Sequence, residues 1–146
     1  MRLFLISSLL LLICIASCGC KDYSTGLQQG ASRADETSAI ATLRTIAQAQ
    51  TTYSISNAGH YASFEQLVEG GFLDSRFNHS SPEYHGYVFT LDARNSSDGL
   101  SFYTCNADPE ATSPRSGRHF YIDSDALGIR VNATQRATNR DEILRP

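Results

Sequence analysis

Apolar positions divide this chain into three regimes. From Leu3 to Ala16 they are nearly continuous, interrupted by Ser7 and Ser8. From Ser32 to His60 they recur with a helical period. From Tyr87 onward they alternate. The first run is shorter than the ~20 apolar residues a spanning helix needs. Polar residues begin at Lys21, and Arg2 precedes the run, so it has the form of a secretory signal.

The second regime is "SRADETSAIATLRTIAQAQTTYSISNAGH". At ~100° per residue, Ala39, Ile40, Leu43, Ile46, Ala47 and Gln50 share one arc of roughly 120°. Ala41, Thr45, Gln48 and Thr52 lie opposite. The pattern predicts a long amphipathic helix. Asp35 and Glu36 suit its positive N-terminal end, Ser32 or Asp35 could cap it, and Gly59 stops it. Ser63 then caps a short helix holding Phe64, Leu67 and Val68, ended by Gly70-Gly71. Residues 74–83 read as loop.

The third regime predicts two hairpins. "YHGYVFTLDA" puts Tyr87, Phe89 and Leu91 on one face and Val88 and Thr90 on the other. "NSSDG" is a turn, and "LSFYTCNA" sets Phe102 and Thr104 against Tyr103 and Cys105. After an open loop, "RHFYID" and "LGIRVNA" pair around Ser124-Asp125-Ala126. The expected fold class is α+β: a long N-terminal amphipathic helix packed on a small antiparallel sheet of about four strands.

The end of the apolar run bears on location. Ile15-Ala16-Ser17-Cys18 is similar to the lipobox of bacterial lipoproteins: an aliphatic residue, two small residues, then Cys. Small residues admit the backbone to a peptidase, and the Cys18 thiol is where diacylglycerol would attach. A secretory signal cut slightly later and an uncleaved anchor are the alternatives. The organisation expected is a lipoprotein-type signal peptide over 1–17, the lipidated Cys and a flexible tether over 18–31, an α+β domain over 32–134, and a polar C-terminal tail over 135–146. Cleavage before Cys18 leaves 129 of the 146 residues, enough for one modest core. Formal net charge moves from −3 to −4 with the loss of Arg2. Lys21 is the single lysine and no basic stripe exists, so nucleic acid is not an indicated partner.

The helical segment resembles type IV pilin-like and pseudopilin proteins, whose pattern is A-x-x-x-L-R-x-I-x-x-A-Q-x-x-Y, then G-x-Y-A and a short Leu-bearing helix. The matching residues are Ala39, Leu43, Arg44, Ile46, Ala49, Gln50, Tyr53, Gly59, Tyr61, Ala62 and Leu67. "GYVFTL", "FYTCNADP" and "GRHFYIDSDALGIRVN" are similar to that family's small sheet. The Gly-Phe-Thr-Leu-Ile-Glu start of prepilins is absent, which puts incorporation through a filament's helical core in doubt. Together with the lipobox-like Cys18 and the lack of catalytic constellations, the resemblance implies a non-enzymatic protein, lipid-anchored on the extracytoplasmic side of a bacterial membrane. It would act through protein contacts, as an accessory to a type IV pilus or type II secretion-like system.

Candidate chemistry is sparse. Of four cysteines, Cys14 falls in the signal and Cys18 would be acylated, leaving Cys20 and Cys105. They could form a disulfide in an oxidising compartment; a buried thiol at Cys105 is the plainer reading. His60, His79, His85 and His119 lack zinc spacing, and no C-x-x-C exists. "DSDALG" places Asp123 and Asp125 at the first and third positions of a calcium-like loop with Gly128 at the sixth. The resemblance adds weight, because some pseudopilins hold calcium near their last hairpin. A solvated hairpin turn explains the same residues. The alternative function is therefore an extracytoplasmic ligand-binding domain, calcium-dependent through Asp123 and Asp125. Cys105 and His119 could be drawn as nucleophile and base, but nothing in the sequence orients the histidine.

Overall fold

The computed structural model describes residues 20–97, 100–111, 117–125 and 128–145. The helical stripe forms α1 (Cys20–Ser56). Leu43, Ile46 and Gln50 are fully buried, Ala39 nearly so, and Ile40 and Ala47 lie partly buried against the same core. Ala58 and Gly59 then take positive φ, 53° and 82°, and the Gly59 amide donates to the Ser54 carbonyl at 2.9 Å. This left-handed pair ends the helix where Gly59 predicts.

The start of α1 differs from expectation. Ser32 and Asp35 lie within the helix rather than capping it, and residues 20–31, expected as a flexible tether, are helical. Gly26 and Gly30 each cost ~1 kcal/mol relative to Ala. The segment contains no Pro, however, and a helix nucleated by the packed 39–50 stretch gains one hydrogen bond per added residue.

Ser63 opens α2 (Phe64–Glu69) with a complete capping box. Its Oγ accepts from the Gln66 amide at 3.3 Å, and its own amide donates to Gln66 Oε1 at 2.9 Å. A 3-10 turn, Ser75–Phe77, follows an Asp74 cap.

The sheet corrects the expected four strands. Among the described residues it contains six, all antiparallel and in sequence order: β1 (Glu83–Tyr84), β2 (Tyr87–Arg94), β3 (Phe102–Pro109), β4 (His119–Asp123), β5 (Arg130–Asn132) and β6 (Glu142–Ile143). The class remains α+β. The two expected hairpins are β2–β3 and β4–β5; the additions are the two-residue edges. β1 turns into β2 through His85 and Gly86, at φ 49° and 72°. Two consecutive positive φ values match the twist of a tight hairpin.

Pleating divides the sheet cleanly. Phe89, Cys105, Ala107, Phe120 and Ile122 share the inner face and pack with Leu43 and Ile46. Phe64, Phe77 and Phe89 form an aromatic run with centroid separations of 5.8 and 6.1 Å, which seats α2 and the 3-10 turn over the β1–β2 side. Gln50, fully buried, donates to the Ala62 carbonyl at 2.7 Å and accepts its amide at 2.9 Å. Asn95 treats Tyr61 the same way, both bonds being 2.8 Å. Two side-chain amides thus pair with consecutive residues of a loop, as a neighbouring strand would, and satisfy groups that would be costly to bury alone. At the other end, Glu36 binds the Arg118 guanidinium at 2.8 Å and its backbone amide at 3.0 Å.

The outer face at β3 to β5 is met by the C-terminal segment, expected as a polar tail. Ala137 is buried at 2% exposure, and its carbonyl accepts from Asn106 Nδ2 at 2.8 Å. Asp141 accepts from Asn132 Nδ2 at 2.8 Å and from the Thr138 amide at 2.7 Å. Residues 133–141 therefore form a strap that returns to the sheet as β6.

Candidate functional site

The residues singled out by sequence do not assemble into one site. Cys18 and the side chain of Cys20 lie outside the described residues. Cys105 is a free, fully buried thiol, and burial pushes its pKa well up, so the nucleophilic thiolate is disfavoured. The alternative of a bridge to Cys20 also meets a geometric obstacle. Cys20 begins α1, and at ~1.5 Å per residue it stands ~28 Å along the helix from Ala39, where tight burial begins.

Cys105 and His119 are separated by the sheet itself. Cys105 opposes Ile122 on the inner face, whereas His119 is an odd number of residues from Ile122 and faces outward. Its Nδ1 lies 2.7 Å from Asp108 Oδ1, and Arg136 Nε is 3.3 Å from the other oxygen of that carboxylate. The histidine is thus oriented by an acid, as in hydrolytic sites, but the thiol lies on the opposite face. The cluster instead connects the strap to β3 and β4. The sequence pattern does not show it, because Asp108 lies in a strand and Arg136 in the segment expected as a polar tail; the alternation through "FYTCNADP" and "HFYID" was the available signal.

Asp123 and Asp125 sit at the end of β4. The Asp125 amide donates to Asp123 Oδ1 at 3.1 Å, the local turn bond that Asp favours. Tyr121 stands beside them; burial, then hydrogen bonding to Asp123 and its charge, push the tyrosine up to about 12. Calcium takes six to eight oxygens. Among the described residues, no group of three or more acidic, histidine or cysteine side chains is placed to hold a metal. Ala126 and Leu127 of the same loop lie outside the described residues.

An open cleft of about 600 Å³ lies between α1 and the β1 edge. Its lining includes Ser38, Thr42 and Thr45 of α1, Phe72 and Phe77, and Tyr84 of β1. Arg76 lies 4.7 Å over the Tyr84 ring and 2.9 Å from Asp74, and that hydrogen-bonded ion pair lowers the Asp74 pKa. A cation held over an aromatic ring beside its counter-ion suits recognition more than proton transfer. No helix among the described residues is long and apolar enough to cross a membrane.

No protein-family model matches the chain, and searches of curated proteins and of solved structures find no match.

Proposed function

We propose that this protein is a non-enzymatic, extracytoplasmic lipoprotein. Cys18 carries its lipid, and a pilin-like head acts through protein contacts, as an accessory to a type IV pilus or type II secretion-like assembly. The observation that carries the reading is the continuous helix α1, which begins two residues after Cys18 and runs into the core of the head. A flexible linker would let the head wander. A helix holds it off the attachment point by ~28 Å between Cys20 and Ala39, a geometry suited to contact with neighbours on a membrane. The separation of Cys105 from His119 and the hydrogen-bonded turn at Asp123 and Asp125 favour a contact role over a reactive one.

Metabolic labelling with a palmitate analogue tests the anchor in wild type and in Cys18→Ser. The expected result is label in the wild type and none in the variant; equal label in both defeats the reading. Affinity capture of the lipidated protein from membranes tests the accessory role. Recovery of pilus or secretion subunits supports it, and their absence at saturating capture counts against it.

A further inference from the structure

Most threonines of α1 satisfy their hydroxyls within the helix. Thr37, Thr45, Thr51 and Thr52 each donate to the carbonyl four residues back, at 2.9–3.1 Å. Thr42 does not. It is only 8% exposed, and among the described residues its hydroxyl has no hydrogen-bond partner. Nor is that hydroxyl sealed in, since among the described side chains only Ser101 Oγ is both fully covered and unpartnered. The remaining exposure of Thr42 opens into the cleft between α1 and β1, with Ser38 one turn before it on the same face. A nearly buried hydroxyl left unpaired in this way is a donor and an acceptor for whatever enters the cleft.

The charged groups of the cleft balance one another. Asp74 accepts from the Arg76 amide and from Arg76 Nε on one oxygen, Oδ1, at 3.0 and 2.9 Å. Its Oδ2 remains an acceptor, and the guanidinium, 4.7 Å over the Tyr84 ring, keeps further N–H donors. The pair is neutral, so it does not select an ion. Beside it Phe72 and Phe77 supply apolar surface. Peptides have two common ways into such a cleft, and neither finds what it needs. An added strand needs a sheet edge, but β1 is two residues long. A docked helix needs an apolar groove, but the α1 wall presents Ser38, Thr42 and Thr45.

We propose that this cleft binds a neutral saccharide, with the Thr42 hydroxyl and the Asp74–Arg76 pair taking the sugar hydroxyls. A sugar hydroxyl donates and accepts at once, which matches the mixed donors and acceptors on these side chains. The C–H faces of sugar rings match the two phenylalanines. A volume of about 600 Å³ lies within the range of small-ligand sites. The site belongs to the folded head. It depends neither on the lipid at Cys18 nor on a pilus or secretion partner, so failure of the labelling or capture experiments leaves it standing.

NMR titration of the full chain, held in a polyoxyethylene detergent that carries no sugar, tests it. The probes are maltotriose, cellotriose, mannotriose and tri-N-acetylchitotriose, each taken to ~20 mM. At least one should give saturable shifts of the Thr42, Phe72 and Tyr84 resonances. For that sugar Thr42→Val should bind at least ~3-fold more weakly, the worth of one hydrogen bond. Its unfolding midpoint should hold or rise, because a methyl replaces an unpaired, nearly buried hydroxyl. Arg76→Met, at an exposed position, should weaken binding at least ~10-fold through loss of charge-assisted bonds. A cleft that answers to none of the four sugars overturns the proposal. So do shifts confined to residues outside the cleft, and a Thr42→Val variant that binds as the wild type does. Tighter binding of an uncharged, end-blocked tripeptide than of any sugar assigns the cleft to peptides and overturns it as well.

Discussion

The two faces of the sheet are closed by opposite means. The inner face meets α1 and α2 through Phe89, Phe120, Ile122, Leu43 and Ile46, a continuous apolar contact whose strength scales with buried area. The outer face meets the strap through bonds that can be counted: Asn106 to Ala137, Asn132 to Asp141, and Asp108 to Arg136. Apolar closure is insensitive to small shifts of register. Polar closure is specific, because each donor has one acceptor, but its net worth per bond is small. The inner face should therefore set global stability, and the outer face should open locally without unfolding the rest.

Phe89→Ala tests the strong side. Phe89 is fully buried, so its truncation should cost ~3–5 kcal/mol in denaturant unfolding; a loss under ~1 kcal/mol would erase the contrast. Gln50→Leu probes the polar exception within the inner core. Orphaning the Ala62 amide and carbonyl should cost ~2–4 kcal/mol by the same measurement. On the strap side, Asn106→Ala should cost only ~1–2 kcal/mol globally, while hydrogen exchange accelerates across residues 133–141 before it does in β3. Equal acceleration everywhere would show the strap to be part of the cooperative core.

The smallest effect is pH-dependent and absent at neutrality. Hydrogen bonds, led by that from the Thr138 amide, hold the Asp141 pKa below its ordinary 3.8. A depressed carboxylate stabilises the fold above its unfolded pKa, and that contribution is lost as pH falls through the folded value. The Thr138 amide resonance should accordingly shift, and its exchange quicken, below pH 3.8 but not between pH 5 and 7. Asp141→Asn should remove that transition. Persistence of the transition in the variant would assign it to another carboxylate.

The same contrast decides how much was legible in the sequence. Periodicity reports burial, so it revealed the α1 stripe, the alternation of β2 and β3, and both hairpins, and residue type marked the cap at Ser63. It is silent where polar groups find specific partners. Residues 133–141 contain one buried apolar side chain, Ala137, so nothing in hydrophobicity distinguishes this docked strap from a fraying tail. β1 and β6 offer two residues each, below the length at which alternation means anything. The His85-Gly86 turn was the one readable sign of β1. Residues 20–31 misled for a different reason: their glycines and polar side chains suit a linker, but propagation from a packed helix overrides so weak a preference.

The unbroken course of α1 also fixes an angle. Because the backbone from Cys20 to the core is one helix, whatever is attached near its N-terminal end is phased to the head, as a key bit is to its bow. Deleting one residue between 20 and 31 would turn the head by ~100° about the helix axis while shortening the reach by only ~1.5 Å. Deleting seven would shorten it by ~10 Å yet restore the bearing to within ~20°. If the head acts through contacts, bearing matters more than reach, and the spacing of this plain, glycine-bearing segment becomes a determinant of which face the head presents.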